Sequence, residues 1–318
     1  MMTIRMTTET TVTPLEHYPD LAKALGVSGL YFKREDLHHY GSHKGRSIPV
    51  MIDLYLAQGD TRFALSSSGN AALAAAMYVK ELNENILQSG GKKLLDLDIF
   101  VGNHVSPNKL AKLDGYVDEH IRILKKERPL QALNLAVNDG ARSLRQSTDE
   151  NALIGYKSLV DELSESFNKK SQEKLGAIFV GTSSGTTAEA LAKYFLEAKS
   201  TNSKTKSIPQ IHIIQTSSCH PIADGLNSYD GPDETSIADA ITDITGYRKD
   251  ALVPLIQKTG GAGWFATNEA IEAAQELVKK YTDLDISTNS ALSVVGVMQA
   301  VYAGHQIDGT VVCLICGE

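Results

Sequence analysis

Short apolar runs alternate along this chain with longer stretches whose apolar positions recur every three or four residues. Residues 30–33, 62–65, 97–101, 176–180, 211–215 and 310–315 are rich in Val, Ile and Phe. They are short enough to be strands buried on both faces. Helical spacing runs over 70–82, 130–144, 152–163, 186–197, 268–280 and 290–302. Thr267, with Glu269 close behind it, has the pattern of a helix N-cap followed by an acidic first turn. This alternation predicts an α/β protein with mainly parallel sheets covered by helices on both faces. The polar stretches 80–98, 145–151 and 199–207 read as surface segments. They suggest two three-layer domains: a small one over 55–150, and a large one combining 1–54 with 151–318.

Composition narrows the picture. The chain has 318 residues, 22% of them charged and 42% hydrophobic, which excludes a disordered chain. The 31 Lys and Arg against 38 Asp and Glu give a net charge of −7. No clustered positive field is evident, so neither nucleic acid nor a membrane surface is an expected partner. No apolar run reaches the ~18–20 residues that span a bilayer, and the first residues lack the apolar stretch of a signal peptide. The three cysteines, Cys219, Cys313 and Cys316, are too few for a disulfide framework. A reducing, cytoplasmic setting is therefore expected.

Open parallel sheets bind ligands at the carboxyl ends of their strands, so the loops after the predicted strands carry the candidate chemistry. After 30–33 comes a charged stretch, then Gly41-Ser-His-Lys44 and a helix. A lysine at a helix N-terminus has its pKa lowered by the dipole, the condition a Schiff-base lysine needs. It is also the commonplace position of a solvated cation. His38, His39 and His43 crowd the same turn, with no carboxylate pair to complete a metal site, and no metal is expected. After 62–65, Ser67, Ser68, Gly69 and Asn70 lead into an Ala-rich helix. They could seat an anion or simply cap the helix. After 176–180, the small residues Gly181, Thr182, Ser183, Ser184, Gly185 and Thr186 can cradle a phosphate at a helix N-terminus. The same stretch matches G-x-S-x-G, which would make Ser183 a hydrolase nucleophile with Asp285 and His305 as partners. Cys313 and Cys316 form a CxxC, but residues three apart on a strand face opposite ways.

Taken together and in order, these motifs resemble the fold type II pyridoxal-phosphate enzymes, the tryptophan synthase β superfamily. The matching residues are Thr13-Pro-Leu15, Lys33-Arg-Glu-Asp-Leu37, Gly41-Ser-His-Lys44, Ser67-Ser-Gly-Asn70, the 181–187 loop and Cys316-Gly317. Within that superfamily the helix after Asn70, the segment Ala152-Leu-Ile-Gly-Tyr-Lys157 and the segment Ser287-Thr-Asn-Ser-Ala-Leu-Ser293 are most similar to threonine synthase. The resemblance implies pyridoxal 5′-phosphate as cofactor, an amino acid as substrate and a homodimer. It implies that Lys44 is the Schiff-base lysine and base, and that Asn70 bonds the cofactor's ring hydroxyl. Ser67, Ser68, Gly69, Asn70 and Ala71 would hold the substrate carboxylate, and residues 181–186 the cofactor phosphate. Cys316 would face the pyridine nitrogen. A thiol there, in place of a carboxylate, disfavours transamination and suits elimination or replacement on the side chain. A lyase or synthase is therefore expected, with serine/threonine dehydratase and cysteine-synthase-like reactions as alternatives. Three positions depart from the threonine synthase pattern. Ala152 stands where an arginine helps bind substrate phosphate, with Arg142 and Arg145 as the candidates to replace it, Gly45 follows the lysine in place of aspartate, and Ser183–Ser184 replace glycines.

Overall fold

The computed structural model describes residues 11–103, 105, 107–170, 172–200, 207–232 and 234–317. In chain order the elements are β1 (Leu15–His17), α1 (Pro19–Leu25), β2 (Leu30–Arg34), α2 (Lys44–Ala57), β3 (Arg62–Ser66), α3 (Asn70–Gln88), β4 (Asp96–Gly102), α4 (Pro107–Asp114), β5 (Ile121–Lys126), α5 (Pro129–Asn138), β6 (Arg142–Ser143), α6 (Asn151–Ile154), α7 (Lys157–Lys169), β7 (Leu175–Gly181), α8 (Thr186–Ser200), β8 (Gln210–Thr216), α9 (Lys249–Thr259), β9 (Gly263–Ala266), α10 (Asn268–Thr282), α11 (Thr288–Tyr302) and β10 (Thr310–Ile315). They fall into two compact units, one of residues 38–155 and one of 12–37 with 156–318.

The unit of residues 38–155 carries a four-stranded, all-parallel sheet in the order β5-β4-β3-β6. Side chains alternate across it. Phe63, Leu65, Leu97, Ile99 and Val101 face α2 and α3, while Ala64 and Phe100 face Leu133 of α5. The observed boundary at His38 differs from the one expected near residue 55. The reason is the apolar face of α2: Ile48, Met51, Ile52 and Tyr55 are buried in the same cluster as α3, β3 and β4. Ala152 joins that cluster too, and its carbonyl accepts the Ser47 hydroxyl at 2.6 Å, which carries the unit past residue 150. Gly155 closes the unit by backbone contact. A Cβ there would lie 1.9 Å from the Arg46 carbonyl oxygen, closer than any atom can come.

The second unit has a six-stranded sheet in the order β1-β2-β10-β7-β8-β9, parallel except for the β1–β2 pair. β7 and β10 are buried almost throughout, as central parallel strands covered on both faces must be. Phe32, Phe179, Cys313 and Ile315 face α1, α10 and α11. Tyr31, Ile178, Val180, Val312 and Leu314 face α7, α8 and α9. Polar ties fix the first strands. Lys33, only 2% exposed, donates to the Thr13 carbonyl at 2.7 Å and to Glu162 of α7 at 2.5 Å. Glu35, fully buried, accepts the Thr13 hydroxyl at 2.6 Å. Lys33 and Glu35 of the Lys33–Leu37 motif are thus part of the frame.

Several expectations change in detail. The helix from Asn70 runs on to Gln88, through the first half of the expected 80–98 surface segment. The 130–144 helix stops at Asn138, and Gly140 with φ +89° turns the chain into β6. The 152–163 helix is divided between α6 and α7 at Gly155 and Tyr156. Much of the 199–207 loop lies outside the described residues. Thr267 does cap α10, accepting the Ala270 amide at 3.2 Å. No described helix is long and apolar enough to cross a membrane.

At the amino ends of the strands, His212 of β8 is fully buried. Its Nδ1 accepts the Ala262 amide at 3.1 Å and the Trp264 indole N–H at 3.2 Å, so the ring proton sits on Nε2, facing Gln210 Oε1 at 3.2 Å. Burial, and then the neighbouring His305, lower its pKa from 6.5 to about 3. The unfolded chain therefore binds a proton that the folded ring refuses. Stability is fully present above pH 6.5 and is lost as pH falls toward about 3. His212 is expected to contribute up to about 1.4 kcal/mol of lost stability per pH unit in that window. Urea unfolding at stepped pH checks this: His212→Gln should flatten the slope, and an unchanged slope would refute the assignment.

Candidate active site

In the unit of residues 38–155, α2 and α3 both start at the carboxyl edge of the sheet, because each runs back along a parallel strand. Lys44 opens α2, with its amide donating to the buried Ser42 hydroxyl at 3.2 Å. The turn before it touches the start of α3: a Cβ on Gly41 would meet Leu73 at 3.0 Å. Ser67, Ser68, Gly69, Asn70 and Ala71 are all half-buried and form the loop from β3 into α3. The Ser67 hydroxyl accepts the Gly69 amide at 3.3 Å, and space around Gly69 is open, with nothing within 4 Å of where its Cβ would be. Lys44 and this loop, separate in sequence, thus share one edge.

The position where an arginine is expected is a core position. Ala152 is fully buried and packed with α2 and α3. Arg142 does not stand in for that arginine. It binds Asp60 at 2.8 Å and lies over the Tyr55 ring, at the amino end of β3. Arg145 follows β6 and is on the carboxyl edge, beside the loop after β3.

In the other unit, the loop of Gly181, Thr182, Ser183, Ser184, Gly185 and Thr186 leads from β7 into α8. Cys316 follows β10, the neighbouring parallel strand, so the loop and the thiol sit side by side at the carboxyl edge. Cys313 and Cys316 pack into different clusters on the two faces of the sheet, as their spacing requires. All three cysteines are buried, and none is in a disulfide. The backbone is tied down next to Cys316: the Ser287 and Ser290 hydroxyls donate to the Gly317 carbonyl at 2.8 and 3.3 Å. The start of α11 also presses on Gly181, whose Cβ would lie 2.9 Å from the Asn289 carbonyl oxygen.

Gly185 takes φ +87°, and its Cβ would meet Leu252 at 2.9 Å and Ile222 at 3.0 Å. The bend is supported by groups the sequence reading missed. The amide of Gln215 donates to the Ser183 carbonyl at 3.3 Å, while its oxygen accepts the amides of Ile222 and Ala223, each at 2.9 Å. The signal for it was a polar residue directly after the Ile213–Ile214 pair, near the carboxyl end of its strand. Behind the bend, Arg248 and Glu189 form a buried ion pair at 2.9 Å. The Ser183 hydroxyl accepts the amides of Thr242 and Asp243 at 3.1 and 3.3 Å. The hydrolase triad is not assembled. Asp285 is exposed and paired with Lys279, and His305 packs on His212 and Trp264 beside the amino ends of the strands. Among the described residues no cluster of three His, Cys, Asp or Glu side chains could hold a metal.

Among the described residues, no protein acceptor meets the amides of Ser183, Ser184 or Gly185. Small residues, amides with no protein acceptor and a helix N-terminus fit a phosphate group. A lysine at a helix start fits an aldehyde. An α/β chain with these two edges has the makings of a pyridoxal-phosphate enzyme.

The comparisons with known proteins agree. A family model described as pyridoxal-phosphate dependent enzyme matches residues 6–317, and the chain belongs to that family. It is 27% identical over 317 residues to a threonine synthase of Methanosarcina acetivorans, covering 96% of this chain and 74% of that one. A threonine synthase of Mycobacterium leprae is 25% identical over 311 residues, covering 96% and 81%. A pyridoxal 5′-phosphate-dependent aspartate racemase superposes with TM-score 0.75 at 20% identity over 96% of this chain and 90% of that one. A threonine deaminase from Solanum lycopersicum gives 0.73 at 19% identity, over 96% and 78%. The architecture is that of fold type II, and the family's cofactor is pyridoxal phosphate.

Gly185→Ala should cost about 1–3 kcal/mol of stability through strain at positive φ. It should also weaken retention of pyridoxal phosphate. Urea unfolding and dialysis of the loaded protein measure the two; wild-type values in both would show that the bend does not form the phosphate seat.

Proposed function

We propose that this chain is a pyridoxal-phosphate-dependent lyase or synthase that eliminates or replaces a group on the β- or γ-carbon of an amino acid, in the manner of a threonine synthase. The observation that carries the reading is Lys44 at the start of α2, on the same sheet edge as the Ser67–Asn70 loop. The bound cofactor supplies an electron sink for the substrate's α-carbon. The other steps belong to the chain. The Lys44 amine would hold the cofactor through its aldehyde carbon and, once released, would accept the proton from the substrate's α-carbon. Ser67, Ser68, Gly69 and Ala71 hold the substrate carboxylate at the N-terminus of α3, and Asn70 bonds the ring hydroxyl. Residues 181–186 hold the phosphate with backbone amides. Cys316 offers the pyridine nitrogen a thiol, and without a carboxylate there the sink stays weak, which favours loss of a side-chain group over transamination.

A second reading has its own support. Ala152 lies in the core and Arg142 is engaged at the far edge, so the arginine expected for a substrate phosphate has no equivalent at its own position. This favours a substrate without a phosphate, such as a β-hydroxy amino acid, and hence a serine or threonine dehydratase. A homodimer and a cytoplasmic setting are part of the proposal, as the family resemblance implies.

Purified protein loaded with pyridoxal phosphate should be yellow and bleach with borohydride, and Lys44→Ala should stay colourless. A yellow Lys44→Ala protein that still bleaches would overturn the assignment. Cys316→Asp should shift the absorbance and raise transamination; an unchanged spectrum would place Cys316 away from the ring. In a panel of O-phosphohomoserine, threonine, serine and O-acetylserine, a spectral response to serine or threonine is expected. Without the bidentate arginine contact, phosphohomoserine should bind about 10-fold more weakly or worse. Efficient turnover of phosphohomoserine would instead establish the threonine synthase reaction.

A further inference from the structure

The glycine that follows Lys44 is there for want of room. Gly45 does not have a positive φ, so its backbone conformation makes no demand for glycine. A Cβ on it would lie 2.4 Å from His38 Nδ1, 2.5 Å from His38 Cε1 and 2.8 Å from Tyr40 Cβ. Contacts that short do not occur, so the imidazole and the stem of Tyr40 fill the space of a side chain at 45. Neither neighbour is free to retreat. His38 is 6% exposed, and its Nδ1 accepts the Tyr40 amide at 3.2 Å. The Tyr40 hydroxyl donates to Glu81 at 2.7 Å, and its ring packs edge-on against Tyr78 at 5.5 Å. Tyr78, 2% exposed, is in turn held by Asp53 at 2.6 Å.

We propose that His38 is a positioning residue for Lys44: clamped between the Tyr40 backbone and the Gly45 backbone, its imidazole sets the first turn of α2 and the direction in which the lysine amine is presented. His38 and Gly45 act as one device, the ring at one position requiring the missing side chain at the other. This rests on the reading of Lys44 as the lysine that bonds the cofactor.

The test measures bond formation between the protein and pyridoxal 5′-phosphate, with no amino-acid substrate present. First, the wild-type adduct is trapped with borohydride and the labelled lysine is mapped. Label at Lys44 establishes the underlying reading independently of His38; label at another lysine, or none, overturns that reading and this inference with it. Then the rate of colour formation is compared in His38→Ala, Gly45→Ala, their combination and His38→Asn. Displacing the turn by about an ångström should slow the Gly45→Ala protein on the order of a hundredfold. His38→Ala should also be slowed, and the combination should recover most of the rate, because alanine then occupies the vacated space. His38→Asn keeps an acceptor near Nδ1 and should stay near wild type. A purely structural role would lower the melting temperature while leaving rate and spectrum unchanged. Wild-type rates in folded His38→Ala, or simple multiplication of the two single effects in the combination, would overturn the proposal. If Gly45→Ala does not fold, His38→Ala and His38→Asn decide the matter alone.

Discussion

The placement of Lys44 depends on backbone approaches too close for a side chain to intervene. On one side, Gly155 puts the end of α6 against the Arg46 carbonyl, within the first turn of α2. On another, Gly45 lies directly under the His38 ring. Two missing side chains therefore seat the first turn of one helix, and a helix seated by its backbone has little freedom to tilt. The Ser47 hydroxyl, bonded to the Ala152 carbonyl, locks the same joint. A lysine side chain has many rotamers, so the precision of its amine rests on how firmly its Cα is held.

The second unit solves a different problem at its own edge. The phosphate seat proposed for residues 181–186 needs amides left without protein partners, and a bend that leaves them so has carbonyls and side chains to satisfy behind it. Gln215 satisfies the Ser183 carbonyl and, with its oxygen, the amides of Ile222 and Ala223. The Ser183 hydroxyl takes up the amides of Thr242 and Asp243. A serine in place of glycine in this loop thus has a use: it ties the loop to the segment beside it.

What could be read from the chain follows from burial. β7 and β10 are near-continuous apolar runs because parallel central strands are covered on both faces, β2 and β8 carry shorter apolar stretches in Leu-Tyr-Phe and three isoleucines, and all four were legible. β5, with its sequence Ile-Arg-Ile-Leu-Lys-Lys, and the two-residue β6 lie at sheet edges where charge is tolerated, and no apolar run marked them. The affiliation of α2 was hidden for another reason. Its apolar face is plain in the sequence, but which sheet that face covers is decided by contacts with α3 and β3 that no local pattern encodes. Of the candidate residues, Lys44 and the two loops stood out by motif order. Gln215 did not, and His38 drew notice only as one of three crowded histidines, since their part lies in what they touch.

The departures from the family pattern have a common character. Ala152 is packed in a filled core, Gly45 is matched by the ring above it, and Ser183 is bonded on its hydroxyl. Each altered position is answered by a neighbour in its own unit. Compensation of this kind is what the proposed change of substrate would require: the first turn of α2 and the bend at 181–186 are held in place, while position 152, where the threonine synthase pattern has an arginine, is given to the core.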